Sequence, residues 1–232
     1  MYILVKSIEN IFGIKTETPK LYKSALTHTS YIQENNLPYN ECYERLEFLG
    51  DAVLKLTVSD IVFNMYKDVN EGELSKIRSY VVSDHTLSLV AKEIGLNDLI
   101  VLAKHEDKLG CRNLESISAC AFEAVLGAYY LDGKFVEIVD YIKKKFTPYI
   151  TDVKEHFENY NAKAVLQEYT QGINKQRPIY RVIRSEQHKN HTEFEIEVSY
   201  NDEVLAVEKG FSKKEAEQKC AYIACKKLGI IK

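Results

Sequence analysis

Hydrophobic spacing changes character once along this chain, and the change decides what each part can fold into. Apolar residues recur at three- to four-residue intervals in 43–66, 74–94, 116–131 and 134–146, which is the period of an amphipathic helix. Pro38, Gly72, Gly95, Gly110 and Gly133 punctuate these runs. No two-residue alternation precedes residue 179, so residues 1–152 read as an all-α domain. Beyond it, "PIYRVI", "TEFEIEVSY" and "EVLAVEKG" alternate apolar and polar side chains and are rich in β-branched and aromatic types. "YNDEV" supplies a hairpin turn between the last two. A short helix over 163–171 precedes the strands, and "SKKEAEQKCAYIACKKL" follows them as a helix with Ser212 as N-cap. Residues 161–232 therefore read as a small α+β domain of order α-β-β-β-α, an antiparallel sheet with two helices on one face. The polar stretch 153–160 reads as the linker between the two.

Charge divides along the same line. The net charge of −3 is an average over residues 161–232, with 13 Lys+Arg against 10 Asp+Glu, and the remainder, with 18 against 24. An acidic front joined to a basic tail suits an acidic site served by a polyanion-binding module. No stretch approaches the roughly 18 apolar residues that span a bilayer. The N-terminal "MYILVKSIEN" lacks the three-part pattern of a secretory signal, so a cytoplasmic, membrane-free protein is expected. The five cysteines are odd in number and form no C-x-x-C pair, which argues for reduced thiols rather than disulfides or a zinc site. Cys220 and Cys225, set among alanines in a helical pattern, read as small buried hydrophobes.

The densest chemical signal is "YERLEFLGDAVL", residues 43–54. Glu44, Glu47 and Asp51 stand at i, i+3 and i+7, on roughly one side of a helix whose other positions are almost all apolar. A solvated helix face is the ordinary reading of such a set. A hard divalent cation is the other, because clustered carboxylates with only Arg45 and Lys55 nearby match the oxygen donors that Mg²⁺ takes. The segment by itself leaves both open.

"ALTHTSY" (25–31), "YERLEFLGDAVL" (43–54), "EGELSKIRS" (71–79) and "FEAVLGAYYLDG" (122–133) occur in this order. Together they resemble ribonuclease III of the simple bacterial type, and residues 161–230 resemble the double-stranded-RNA-binding domain that follows it in that family. The resemblance spans essentially the whole chain. It implies an endoribonuclease that hydrolyses double-stranded RNA with Mg²⁺, with Mn²⁺ as an alternative ion, and processes ribosomal and messenger RNA precursors. It implies that Glu47 and Asp51 ligate the metal, that Glu123 adds a third ligand from a second helix, and that Glu44 assists nearer the RNA. Glu71 matches an accessory acidic position; on the residues alone it is equally an exposed loop charge. Phe48 reads as core from its neighbours. In the family the matching aromatic enters a socket on the other subunit of a homodimer, whose two sites leave short 3′ overhangs. No nucleotide cofactor is implied. "His28-Thr29-Ser30" lacks the partners of a hydrolytic triad and reads as helix-end packing and capping.

The chain departs from the family pattern at Cys120. The family carries an aspartate three residues before the glutamate; here "CAFE" places a thiol there, on the same helical face as Glu123. Thiols are poor ligands for Mg²⁺ and favour softer ions. Three readings follow: activity survives on Glu47, Asp51 and Glu123 with Mg²⁺ or a softer metal; the chain is a cleavage-impaired binder of double-stranded RNA; or the position has been altered to disable cleavage. In the C-terminal part, "GFSKKEAEQ" resembles the segment in which lysines at a helix start meet phosphates, placing Lys213 and Lys214 on RNA. "AVLQEYTQG" resembles the first helix, with Gln167 and Glu168 as minor-groove contacts, and either His188 or His191 fills the role of the loop histidine.

Overall fold

Long helical patterns need a partner for their apolar side, and those over 43–66 and 116–131 find each other. In the computed structural model, which describes residues 2–188 and 192–231, the elements run α1 (Tyr2–Phe12), α2 (Pro19–Ala25), α3 (Thr29–Glu34), α4 (Glu44–Met65), α5 (Glu71–Val81), α6 (Asp84–Glu93), α7 (Lys104–Lys108), α8 (Glu115–Leu131) and α9 (Phe135–Glu155). They continue with α10 (Phe157–Asn174), β1 (Ile179–Gln187), β2 (Thr192–Tyr200), β3 (Glu203–Gly210) and α11 (Lys213–Lys227). The chain divides into two compact units, Met1–Asp152 and Val153–Lys232.

In the first unit α8 is the central helix. Its stretch from Ile117 to Tyr129 is buried at every position except Cys120 and Glu123, which are half-exposed. Small residues, Ala119, Ala121, Ala124, Gly127 and Ala128, make that possible by letting neighbouring helices approach on all sides. An aromatic cluster closes the other end of the core: Phe122 lies 5.8 Å from Phe146, and Tyr22 stands edge-on to Tyr129 at 4.9 Å. Asp132, just past the end of α8, accepts hydrogen bonds from the Tyr22 hydroxyl and the Glu17 backbone N–H, both at 2.8 Å, tying α2 to it.

The 74–94 pattern is two helices, not one. It breaks at Val82–Ser83, where the Ser83 hydroxyl oxygen accepts from the Thr86 N–H and starts α6. His28 caps α3 by accepting from the Ser30 N–H at 3.1 Å, with its ring 5.5 Å from that of Tyr43. Residues 153–160, expected as a polar linker, are helical apart from His156: α9 runs through to Glu155 and α10 begins at Phe157. The stretch contains neither Gly nor Pro, and its Glu and Lys are good helix formers, so the helical course resumes directly after His156. The helix expected over 163–171 is correspondingly longer.

In the second unit β1, β2 and β3 pair antiparallel in that order. Asn201 and Asp202 take left-handed φ values of 51° and 61°, the conformation of a two-residue hairpin turn. Leu166, Ile196, Val198, Ala216, Cys220 and Ala224 form the core beneath α10 and α11. Val198 pairs with Ala206 and Ser199 with Val204, so Leu205 is an extra residue in β3. The bulge turns both Leu205 and Ala206 inward, which strict alternation does not allow. Gly210 permits the sheet to meet α11, since a Cβ there would lie 2.7 Å from the Ala216 nitrogen. None of the five cysteines is in a disulfide, and Cys42, Cys220 and Cys225 are buried. Among the described residues no helix is long and apolar enough to cross a membrane.

Candidate active site

Two glycines bring the acidic strip of α4 onto the open face of α8. A Cβ on Gly50 would sit 1.7 Å from the Glu123 carbonyl oxygen, and one on Gly127 would sit 2.2 Å from that of Leu46. The helices therefore cross backbone to backbone, closer than any side chain allows. This crossing sets Glu47 and Asp51, one turn apart on α4, opposite Cys120 and Glu123, one turn apart on α8. Across the crossing the Cys120 thiol lies beside the Glu47 carboxylate and the Glu123 carboxyl beside Asp51, close enough for each pair to couple electrostatically. Lys55 Nζ pairs with Asp51 Oδ2 at 2.8 Å, an exposed i, i+4 contact.

Negative charge exceeds what the nearby cations balance. Burial, and then the neighbouring Asp51 and Glu47 charges, push the Glu123 carboxyl up to about 8. Glu47 is raised by burial first and by Glu44, Asp84 and Asp51, against the lowering effect of the Cys120 thiol. The Cys120 thiol is pushed far up by burial and the Glu47 carboxylate, and so stays protonated. A divalent cation would relieve this crowding, and the three carboxylates are the donor type that a hard cation accepts. Among the described residues no three His, Cys, Asp or Glu side chains form a ready-made ligand cage.

The other expected site residues are distributed around this quartet. Glu44, at the start of α4, is half-buried and lines a cleft of about 520 Å³ with Thr29, Gln33 and Tyr39. Glu71 begins α5, accepts from the Ser75 hydroxyl at 2.7 Å and lines a different cleft with Leu56, Phe63 and Arg78. Phe48, adjacent to Glu47, is 81% exposed and is no part of the core. Asp84 is the acid that sequence reasoning missed. It occupies the first turn of α6, and its charge acts on Glu47, Cys120 and Glu123. His85 Nδ1 hydrogen-bonds Glu115 Oε1 at 2.8 Å, fastening that end of α6 to the start of α8. An acidic residue after a serine cap is ordinary helix-start chemistry, so nothing in the sequence marked it.

In the second unit Ser212 caps α11 by accepting from the Glu215 N–H, while the Glu215 carboxylate accepts from the Phe211 N–H at 2.8 Å. Lys213 and Lys214 follow, both exposed, with Lys213 Nζ 5.7 Å from the centre of the Phe194 ring. Gln167 and Glu168 lie on α10, Gln167 half-buried and Glu168 exposed. His188 follows β1; His191 lies outside the described residues.

Comparison with known proteins agrees in both units. The family model Ribonuclease-III-like matches residues 18–150, and Double-stranded RNA binding motif matches residues 162–228. Ribonuclease 3 of Staphylococcus haemolyticus is 39% identical over 219 residues, covering 94% of this chain and 89% of that protein. Ribonuclease 3 of Clostridium perfringens is 39% identical over 227 residues, covering 97% and 94%. Among solved structures, the nuclease domain of ribonuclease III from Campylobacter jejuni, described for flexibility in a region involved in dimer formation, superposes with a TM-score of 0.55. It is 32% identical and covers 61% of this chain and 98% of that one. The chain thus belongs to the ribonuclease III family of double-stranded-RNA endoribonucleases, a helical nuclease domain followed by a double-stranded-RNA-binding domain.

Proposed function

We propose that Glu47, Asp51 and Glu123 are the catalytic carboxylates of this endoribonuclease, that they hold Mg²⁺ or Mn²⁺, and that RNA precursors in the cytoplasm are its substrates. The observation that carries this reading is the pair of cross-helix contacts at the Gly50–Gly127 crossing, which gathers more carboxyl groups than nearby cations neutralise. When bound, the cation supplies a lowered pKa for the attacking water and neutralises charge developing on the phosphate. Glu47 and Asp51 orient it from α4 and Glu123 from α8. Glu44, one turn before Glu47, faces the approach to the site, and Glu71 serves as an accessory acid.

Binding is divided from cutting. Lys213 and Lys214 present ammonium groups at the positive end of α11, where backbone N–H groups also favour phosphate. Gln167 and Glu168 on α10, with His188 or His191 from the β1–β2 loop, read the minor groove by its shape and hydroxyls. A homodimer presents two sites to one duplex. Phe48, Ala52, Leu56 and Phe63, all exposed along one stripe of α4, support it. The name shared by the curated relatives supports turnover over binding alone.

Labelled duplex RNA tests the assignment. Asp51→Asn and Glu123→Gln should each slow cleavage by at least about 100-fold while leaving duplex affinity within a factor of about two, measured by anisotropy with the metal omitted. Cleavage at the wild-type rate by either variant removes that residue from the site.

A further inference from the structure

Resting on the assignment of Glu47, Asp51 and Glu123 as cation ligands, we infer that Cys120 is the metal-selecting residue of the site, tilting it toward a softer divalent cation of the Co²⁺ and Zn²⁺ kind and away from Mg²⁺. Position carries the argument. Between Ile117 and Tyr129 only Cys120 and Glu123 are less than fully buried, so α8 opens toward α4 through one thiol and one carboxyl group. The thiol stands one turn before Glu123 on the face of α8 that meets α4, beside the Glu47 carboxylate. The glycine crossing brings the two backbones together at Gly50 and Gly127, so α8 presents this face to α4 at close range. It is unlike Cys220 and Cys225, which are wholly buried in the second unit.

The two kinds of ion use that position differently. Mg²⁺ takes oxygen donors, so a neutral thiol offers it nothing and the site is one anion short of four carboxylates. A softer ion takes the thiolate: the S–H bond breaks, a sulfur–metal bond forms and the proton passes to water. Binding of the softer ion therefore gains one ligand and one negative charge that binding of Mg²⁺ does not.

Metal titrations of the full chain, freed of metal, test this with Co²⁺ alone and Mg²⁺ alone as probes. The near-ultraviolet thiolate-to-cobalt absorption and calorimetric affinities are read for wild type, Cys120→Ser, Cys120→Asp and Asp51→Asn. The wild type should show the cobalt band and both Cys120 variants should lose it. The ratio of Co²⁺ to Mg²⁺ affinity should fall by about ten-fold or more in Cys120→Asp. Cobalt binding without the band, a band that persists in Cys120→Ser, or an unchanged ratio in Cys120→Asp overturns the inference while the carboxylate site stands. Failure of the wild type to bind either ion, or affinities for both that Asp51→Asn leaves untouched, overturns the carboxylate site itself and the inference with it.

Discussion

Glu9 holds the loop after α1 against the helix that precedes it. Its carboxylate accepts from the Thr16 N–H at 3.0 Å and the Thr16 hydroxyl at 3.2 Å, and pairs with Lys6 at 2.9 Å. These contacts, the Thr16 backbone bond foremost, lower its pKa to about 2. A carboxylate depressed by folding stabilises the native state above its unfolded value, and that contribution is lost as pH falls from about 4.5 toward about 2. Glu9→Gln should therefore flatten this part of the acid limb, seen as a smaller drop in denaturation midpoint between pH 5 and pH 2 than the wild type shows. Glu47 and Asp51 were readable as candidates because one-turn spacing survives translation into a helix, whereas Cys120 and Glu123 came into view only through the resemblance to the family's motif. Glu9 and Asp84 were not readable. Their partners lie across a loop or on a neighbouring helix, and no periodicity in the chain records that.

At the scale of elements, the crossing of α4 and α8 is the most demanding contact of the first unit. Gly127→Ala places a methyl group 2.2 Å from the Leu46 carbonyl oxygen, with backbone rather than a flexible side chain in the way. Overpacking of this kind costs about 1–3 kcal/mol or more, so urea unfolding of Gly127→Ala should show at least that loss, and cleavage should fall with it as the two pairs of site residues part. The sequence displayed both helices through their period but gave no sign that they meet at these glycines, since a glycine inside a helical run fits the pattern as well as any small residue. Strands fared differently. Alternation located β2 and β3 at their observed limits, 192–200 and 203–210, and the Asn201–Asp202 turn followed from residue type. The extra residue Leu205 was hidden, because a bulge is defined by pairing with another strand. The 153–160 helix was hidden for the opposite reason: polar residues without a breaker look the same whether helical or extended.

For the molecule as a whole, the exposed stripe on α4 is the feature that a single copy does not explain. Phe48 is 81% exposed, and Leu56 and Phe63 are each 63% exposed. Contiguous apolar surface on a soluble protein marks a contact site, and a second copy covering it is the arrangement proposed above. Phe48→Asp should shift the chain from dimer to monomer in sedimentation velocity at micromolar concentration, with the helical circular dichroism unchanged; a dimer that persists would place the interface elsewhere. The division into an acidic nuclease unit and a basic RNA-binding unit was readable from charge and period together, and the family motifs joined the two. The buried surroundings of Cys120 and Glu123 on α8 carry one more consequence. Eleven of the thirteen residues from Ile117 to Tyr129 are buried, while the two that meet the carboxylates of α4 are only partly so. Position 120 can therefore change its side chain at less cost to packing than its buried neighbours, so the fold leaves the chemistry that α8 turns toward α4 open to variation.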